Sequence, residues 1–170
     1  ADLNTYRDFY SVLWGEPEER LASAAIAPSS VDEVQAVVRA ANEHNIPLYP
    51  ISTGRNLGYG GAAPVMNGSV VLDMKRMNRV LEINREDMYV IVECGCTWKS
   101  LFEALNPLGL RTPYWGPLSG MYATIGGALS QNSLFHGSGT ERTVAETVLG
   151  LKVVLADGSV LQTGSGSHKY

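Results

Sequence analysis

The residues best suited to chemistry lie in one run, Pro50-Ile51-Ser52-Thr53-Gly54-Arg55-Asn56-Leu57-Gly58-Tyr59-Gly60-Gly61-Ala62-Ala63-Pro64, with four glycines within residues 54–61. Glycine accepts positive φ and carries no side chain, so successive N–H groups can converge on one anion. Ser52 and Thr53 add hydroxyl donors, and Arg55 adds a charge suited to phosphate. The run is not a P-loop, because G-x-x-x-x-G-K-[ST] is absent. Nor is it a dinucleotide fingerprint of the G-x-G-x-x-G kind. That motif opens a helix, whereas Pro64 and Asn67-Gly68 lead here into another strand. The spacing predicts an anion held on the loop's own amides, and the competing explanation is a glycine-rich surface turn.

A second segment shares this character. Gly116-Pro117-Leu118-Ser119-Gly120 is followed by Thr124-Ile125-Gly126-Gly127-Ala128. Gly126 and Gly127 are not there for helix propensity, since each costs about 1 kcal/mol against alanine. Close approach to a large flat ligand, or to another backbone, would explain them. Two segments without side chains suggest an extended ligand with phosphates in its middle, and a dinucleotide fits.

The remaining candidates are weaker. His136 reads as a general base, a cofactor neighbour or a hydrogen-bonded structural histidine. His44 ends a helix, where a cation is favoured. Tyr114 and Trp115 read as core or as a pocket wall, and Tyr59 as a residue that packs on a cofactor. Cys94 and Cys96, at i and i+2, would share one face of a strand as small hydrophobes. Two such cysteines cannot easily meet disulfide geometry and are too few for a zinc site. No carboxylate pair or nucleophile–base pair is visible.

The elements that position these residues are legible around the loops. Residues 3–14 read as a short helix with Tyr6, Phe9 and Val12 at helical spacing. Residues 24–51 read as β-α-β with parallel strands. Its helix opens on the Ser30–Glu33 capping box, carries Val31, Val34, Val38 and Ala41 on one stripe and stops at Asn45. Strands follow at residues 69–73, 80–83 and 89–93. A helix covers residues 97–105 with Thr97 as cap, and two β runs at 151–156 and 159–163 are joined by Asp157-Gly158. The mixture without strict alternation indicates α+β rather than a doubly wound sheet.

Bulk composition agrees. The chain has 170 residues, 45% hydrophobic, with net charge −4. Collagen, disorder and a membrane helix are excluded by pattern, and nucleic acid by the missing basic stripe. Of 18 glycines, Gly15 alone precedes residue 54. A soluble protein, cytoplasmic or periplasmic, is expected. The closing Gly164-Ser165-Gly166-Ser167-His168-Lys169-Tyr170 reads as a break inside a longer protein, a domain boundary or an engineered linker.

From residue 46 to 105 the sequence resembles the FAD-binding domain of the vanillyl-alcohol oxidase/p-cresol methylhydroxylase flavoproteins. The motifs that carry this are the run at 50–64, then Gly68-Ser69-Val70-Val71-Leu72-Asp73 and Met77-Asn78-Arg79-Val80-Leu81-Glu82. A more general form, shared with glycolate-oxidase-type members, extends through Thr124-Ile125-Gly126-Gly127 and the stretch at 148–158. The resemblance implies a PCMH-type α+β fold. Residues 1–23 would precede the domain as a helical segment. A small three-stranded α/β subdomain (24–75) would be followed by a larger mixed-sheet subdomain (76–170, incomplete), with FAD between them. It implies cofactor contacts from Ser52, Thr53, Gly54, Arg55, Asn56, Leu57, Gly58 and Tyr59 at the pyrophosphate. Pro117, Leu118, Ser119, Thr124, Gly126 and Gly127 would run beside the ADP and flavin, with Val148 and Gly150 touching the adenine side or flanking the cofactor.

The implied activity is oxidation of a 4-alkylphenol or aromatic alcohol by hydride transfer to FAD. A 2-hydroxy acid is the other substrate class, and a fragment that binds cofactor without turnover is the alternative to both. Electrons would pass to oxygen or to a redox partner such as a cytochrome. The resemblance implies a longer protein with a cap domain that builds the substrate pocket; that cap and the segment closing the FAD domain are not expected within these 170 residues. Arg55 stands where members that attach FAD from this loop have His. Leu118 stands where phenol oxidases have Asp, and Phe135-His136-Gly137-Ser138-Gly139 replaces their Tyr-Thr-Pro-Tyr-Gly.

Overall fold

The computed structural model describes residues 2–7, 20–55, 61–116, 119–134, 136–141 and 143–164. The first sheet has three parallel strands, β1 (Ala24–Ile26), β2 (Leu48–Ile51) and β3 (Val70–Asp73), in the order β1-β3-β2. The two strands of the β-α-β unit are parallel, as read. β3 lies between them, pairing Ala25 with Val71 on one side and Tyr49 with Val71 on the other. Hydrophobicity explains the order, because Val71 is fully buried and Leu72 nearly so, as a central strand requires.

Helix α1 (Val31–Glu43) forms as its caps dictate. Ser30 Oγ accepts from Glu33 N at 3.2 Å, one half of the expected capping box. The reciprocal half is displaced by one residue, for the Glu33 carboxylate takes Ser29 N at 2.7 Å and Ser29 Oγ at 3.1 Å. At the far end Asn45 adopts φ +53°, with Asn45 N bonded to Asn42 O and Ile46 N to Ala41 O. This pair of bonds is a Schellman stop. Val34 packs with Leu72 and Met77, which seats the helix on the sheet.

Of the expected helix over residues 3–14, only residues 3–7 are described. A 3-10 turn covers Leu3–Tyr6, and Arg7 is already extended. Phe9 and Val12 lie outside the described residues. Asp2 caps the turn through Asn4 N, and Tyr6 anchors it in the core.

The second half begins with the antiparallel pair β4 (Val80–Asn84) and β5 (Tyr89–Val92), which contains a register shift between Val80 and Glu82. Glu93 then takes the Arg79 side chain at 2.7 and 3.1 Å and Arg79 N at 2.8 Å, closing the base of the hairpin. Helix α2 (Trp98–Leu105) starts on Thr97, whose Oγ1 accepts from Ser100 N, and buries Leu101 and Leu105 against β4 and β5. Short helices α3 (Ile125–Ser130) and α4 (Ser138–Glu141) precede the pair β6 (Lys152–Val154) and β7 (Val160–Gln162). β4–β5 and β6–β7 are separate two-stranded sheets.

The β6–β7 link is not the two-residue turn expected from Asp157-Gly158. Leu155 N still bonds Ser159 O at 2.8 Å, so three residues form the loop, and Gly158 supplies its left-handed position at φ +80°. The cysteines also depart from expectation. β5 ends at Val92 and the chain turns through residues 93–96, with Cys96 N bonded to Glu93 O. Cys94 therefore packs with Met77 while Cys96 packs with Leu101, in two different clusters. Both are free thiols.

Candidate functional site

β2 delivers the first glycine segment. It ends at Ile51, and Ser52-Thr53-Gly54 follow outside the carboxyl end of a parallel sheet, where open α/β sheets bind ligands. Gly54 holds φ +63°, and a Cβ there would lie 2.7 Å from Ala62 Cβ. Its two demands, a left-handed backbone and an open side, are both met only by glycine. Tyr49 Oη on β2 donates to Gly61 O at 3.2 Å. The two ends of the loop are therefore drawn together.

The second segment is placed by pairing with another part of the backbone. Gly126 N bonds Cys94 O at 2.9 Å, Ile125 N bonds Cys96 O at 2.8 Å, and Trp98 N bonds Ala123 O at 3.2 Å. Residues 120–126 thus run alongside residues 94–99, with Thr97 opposite Thr124. This contact decides why Gly126 is glycine. An added Cβ would meet Cys94 Cβ at 2.6 Å and Cys94 O at 2.7 Å. Of the two explanations open from sequence, close approach to another backbone is the one realised at Gly126. Gly127 differs: its amide takes Thr124 Oγ1 at 3.1 Å, the cap that starts α3.

The two segments meet at Tyr122, a residue the sequence reading did not single out. Thr53 Oγ1 donates to Tyr122 O at 2.7 Å, and the Arg55 guanidinium sits over the Tyr122 ring at 5.2 Å. Thr53 therefore ties the segments together, its hydroxyl proton already engaged. Arg55 is exposed, and the ring holds it without neutralising its charge. Its N–H groups stay available to an anion. Tyr122 is 55% exposed. An aromatic residue next to Met121 in a run of otherwise small residues, 119–124, is the one sequence signal that could have marked it.

Asn56, Leu57, Gly58, Tyr59, Pro117 and Leu118 lie outside the described residues. Ser52 and Ser119 flank the junction, and Ser119 O accepts from Tyr122 N and Ala123 N. Val148 leaves a 3-10 turn, Val144–Thr147, whose Val144 shares a cluster with Ala128 of α3. Gly150 packs against Thr163 at the exit of β7. Tyr114 is fully buried core beside Trp98. His136 is exposed and lines a shallow groove with Phe102, Arg111 and Trp115. Burial pushes the Cys94 and Cys96 thiols up, Cys96 to about 11, which suits inert core residues. Among the described residues no His, Cys, Asp and Glu group could hold a metal, and no helix is long and apolar enough to cross a membrane.

A donor set with an exposed arginine that makes no ion pair among the described residues, and two joined glycine segments, fits a diphosphate-bearing cofactor. The relatives agree. The FAD binding domain family matches residues 22–164. The flavoprotein subunit of 4-cresol dehydrogenase from Pseudomonas putida is 38% identical over 146 residues, 85% of this chain and 27% of that protein. Glycolate oxidase subunit GlcD of Bacillus subtilis is 34% identical over 163 residues, 96% of this chain and 34% of that protein. The structure of 4-ethylphenol oxidase from Gulosibacter chungangensis superposes with a TM-score of 0.80 at 37% identity, covering 95% of this chain and 30% of that one. This chain thus spans about a third or less of the length of each of these relatives, and over nearly all of its own length it belongs to the p-cresol methylhydroxylase type of FAD-binding domain.

Proposed function

We propose that the chain is the FAD-holding part of a flavin-dependent oxidoreductase that oxidises a 4-alkylphenol or aromatic alcohol. The observation that carries this is the junction of Thr53, Arg55 and Tyr122, which joins the two segments a dinucleotide must span. FAD, when bound, supplies the hydride acceptor, and the organic chemistry belongs to the cofactor. The protein's share is to bind and orient. Arg55 gives charge-assisted hydrogen bonds to diphosphate oxygens. Ser52 and the amides after Gly54 line the same anion. The Thr53–Tyr122 bond fixes the distance between the diphosphate end and the flavin end. In this reading Gly127 and Ser119 lie on the flavin side, and Val148 and Gly150 on the adenine side.

The substrate class rests on likeness to the 4-cresol and 4-ethylphenol enzymes. A small-molecule pocket, a cap built by further polypeptide and a redox partner such as a cytochrome belong to the same reading. The second reading, a 2-hydroxy acid, is favoured by GlcD, which matches 96% of this chain. The test is spectroscopic. The protein reconstituted with FAD should show the visible flavin band, which 4-alkylphenol should bleach under anaerobic conditions. Bleaching by a 2-hydroxy acid instead selects the second reading. No flavin band after reconstitution overturns both.

A further inference from the structure

The turn Leu3–Tyr6 precedes the matched FAD-binding region, which begins at residue 22, yet Tyr6 is only 5% exposed. It belongs to one apolar cluster with Ala22, Ala62 and Val71, against which Leu3, Ala25 and Ile51 pack. Ile51 and Ala62 stand at the two ends of the glycine loop. Ile51 directly precedes Ser52, and Ala62 is the residue that closes against Gly54. The Tyr6 hydroxyl donates to Asp73 Oδ2 at 2.8 Å, and Asp73, 3% exposed, ends the central strand β3. Lys75 Nζ reaches the same oxygen at 2.8 Å and lies 5.8 Å from the centre of the Tyr6 ring. Burial and the Asp73 carboxylate push the Tyr6 phenol above its ordinary value, so it stays a donor across the physiological range.

We propose that the Leu3–Tyr6 turn is a strap across the base of the glycine loop, with Tyr6 a positioning residue, so that docking of the turn and binding of FAD at the loop are coupled. The inference rests on the reading of residues 52–59 as the diphosphate site. Its logic is linkage. A segment that packs on Ile51 and Ala62 holds residues that flank the site, and a ligand that favours their packed arrangement must favour the docked segment by the same factor. The buried Asp73 gives the strap an electrostatic part as well. Tyr6 and Lys75 shield a carboxylate that lies under a site meant for anions.

The test combines hydrogen exchange with affinity, using FAD as probe. FAD should slow amide exchange in peptides covering residues 51–62 and also in those covering residues 2–7. Tyr6→Ala should lower FAD affinity by roughly tenfold, within the usual range of coupling. Tyr6→Phe keeps the ring and should lose less, with its apo melting temperature close to that of the parent, which separates positioning from simple loss of fold. Slowed exchange at 51–62 with unchanged exchange at 2–7, or parental FAD affinity in Tyr6→Ala, overturns the strap while leaving the diphosphate site intact. Unchanged exchange at 51–62 removes the diphosphate reading itself, and the strap with it.

Discussion

Replacing Gly126 by alanine separates two reasons for a glycine beside a cofactor. Gly126 is the second residue of α3, and its missing side chain faces Cys94, whose Cβ and carbonyl oxygen would lie 2.6 and 2.7 Å from an added Cβ. Cys94 is tied down on its own flank, since the next amide, Gly95 N, bonds Met77 O at 2.8 Å. Relief must therefore come from α3 moving away, which loosens Gly126 N–Cys94 O and Ile125 N–Cys96 O. Overpacking of this kind costs about 1–3 kcal/mol. Each loosened bond costs up to about 1 kcal/mol. Alanine's helix preference offsets at most about 1 kcal/mol. The net is a loss of about 2 kcal/mol, or roughly 4–8 °C in melting temperature for a chain of this size. Gly139 is the control. It also lies in a helix, nothing stands within 4 Å of its Cβ position, and Gly139→Ala should match or exceed the parent. Thermal and urea unfolding of both variants, with and without FAD, is the assay. Apo Gly126→Ala as stable as the parent, with only the FAD-dependent stabilisation reduced, would refute the backbone explanation and hand Gly126 to the cofactor.

Three further outcomes are expected. Arg55→Ala should weaken FAD binding by about 1.5–3 kcal/mol, the value of a charge-assisted hydrogen bond, and Tyr122→Ala should weaken it less; calorimetric titration checks both. The Glu93 carboxyl is held below its ordinary range by the Arg79 guanidinium, so its stabilisation is complete above the unfolded value and is lost as pH falls through the folded one. Unfolding free energy measured between about pH 3 and 6 should therefore fall with acid, and Glu93→Gln should flatten that slope. Cys96, fully buried and pushed up to about 11, should resist a thiol reagent near neutral pH until the fold opens, and immediate labelling would contradict its placement.

Local signals survived the passage from sequence to structure, and long-range ones did not. Ser30 and Thr97 cap the helices they precede, because a cap is decided within three residues. Asn45 stops α1 for the same reason. The order β1-β3-β2 was not legible, since period and propensity say nothing about which parallel strand lies in the centre. The meaning of Gly126 was legible only as a choice between two contacts. Tyr122 escaped notice because its role depends on Thr53 and Arg55, about 70 residues away in sequence. Tyr6 was seen as part of a helical stripe, whereas its actual partner is Asp73 across the sheet.

Helix α1 shows why the loop geometry depends on contacts far from the loop. Its apolar stripe, with Val34 at the centre, lies on the sheet. A second stripe at i, i+4 and i+7 is polar. Gln35 Nε2 and Arg39 Nη2 both donate to Gly158 O, at 2.7 and 3.2 Å, and Asn42 Nδ2 donates to Ala156 O at 2.6 Å. These are the carbonyls of the β6–β7 turn, so one helix binds the sheet that carries residues 52–54 and the hairpin that follows Val148 and Gly150. The positive φ of Gly158 turns its carbonyl into position, and a side chain there would strike Arg39. The helix therefore links the sheet that carries residues 52–54 to the β6–β7 turn through a polar face that hydrophobic periodicity alone would assign to solvent.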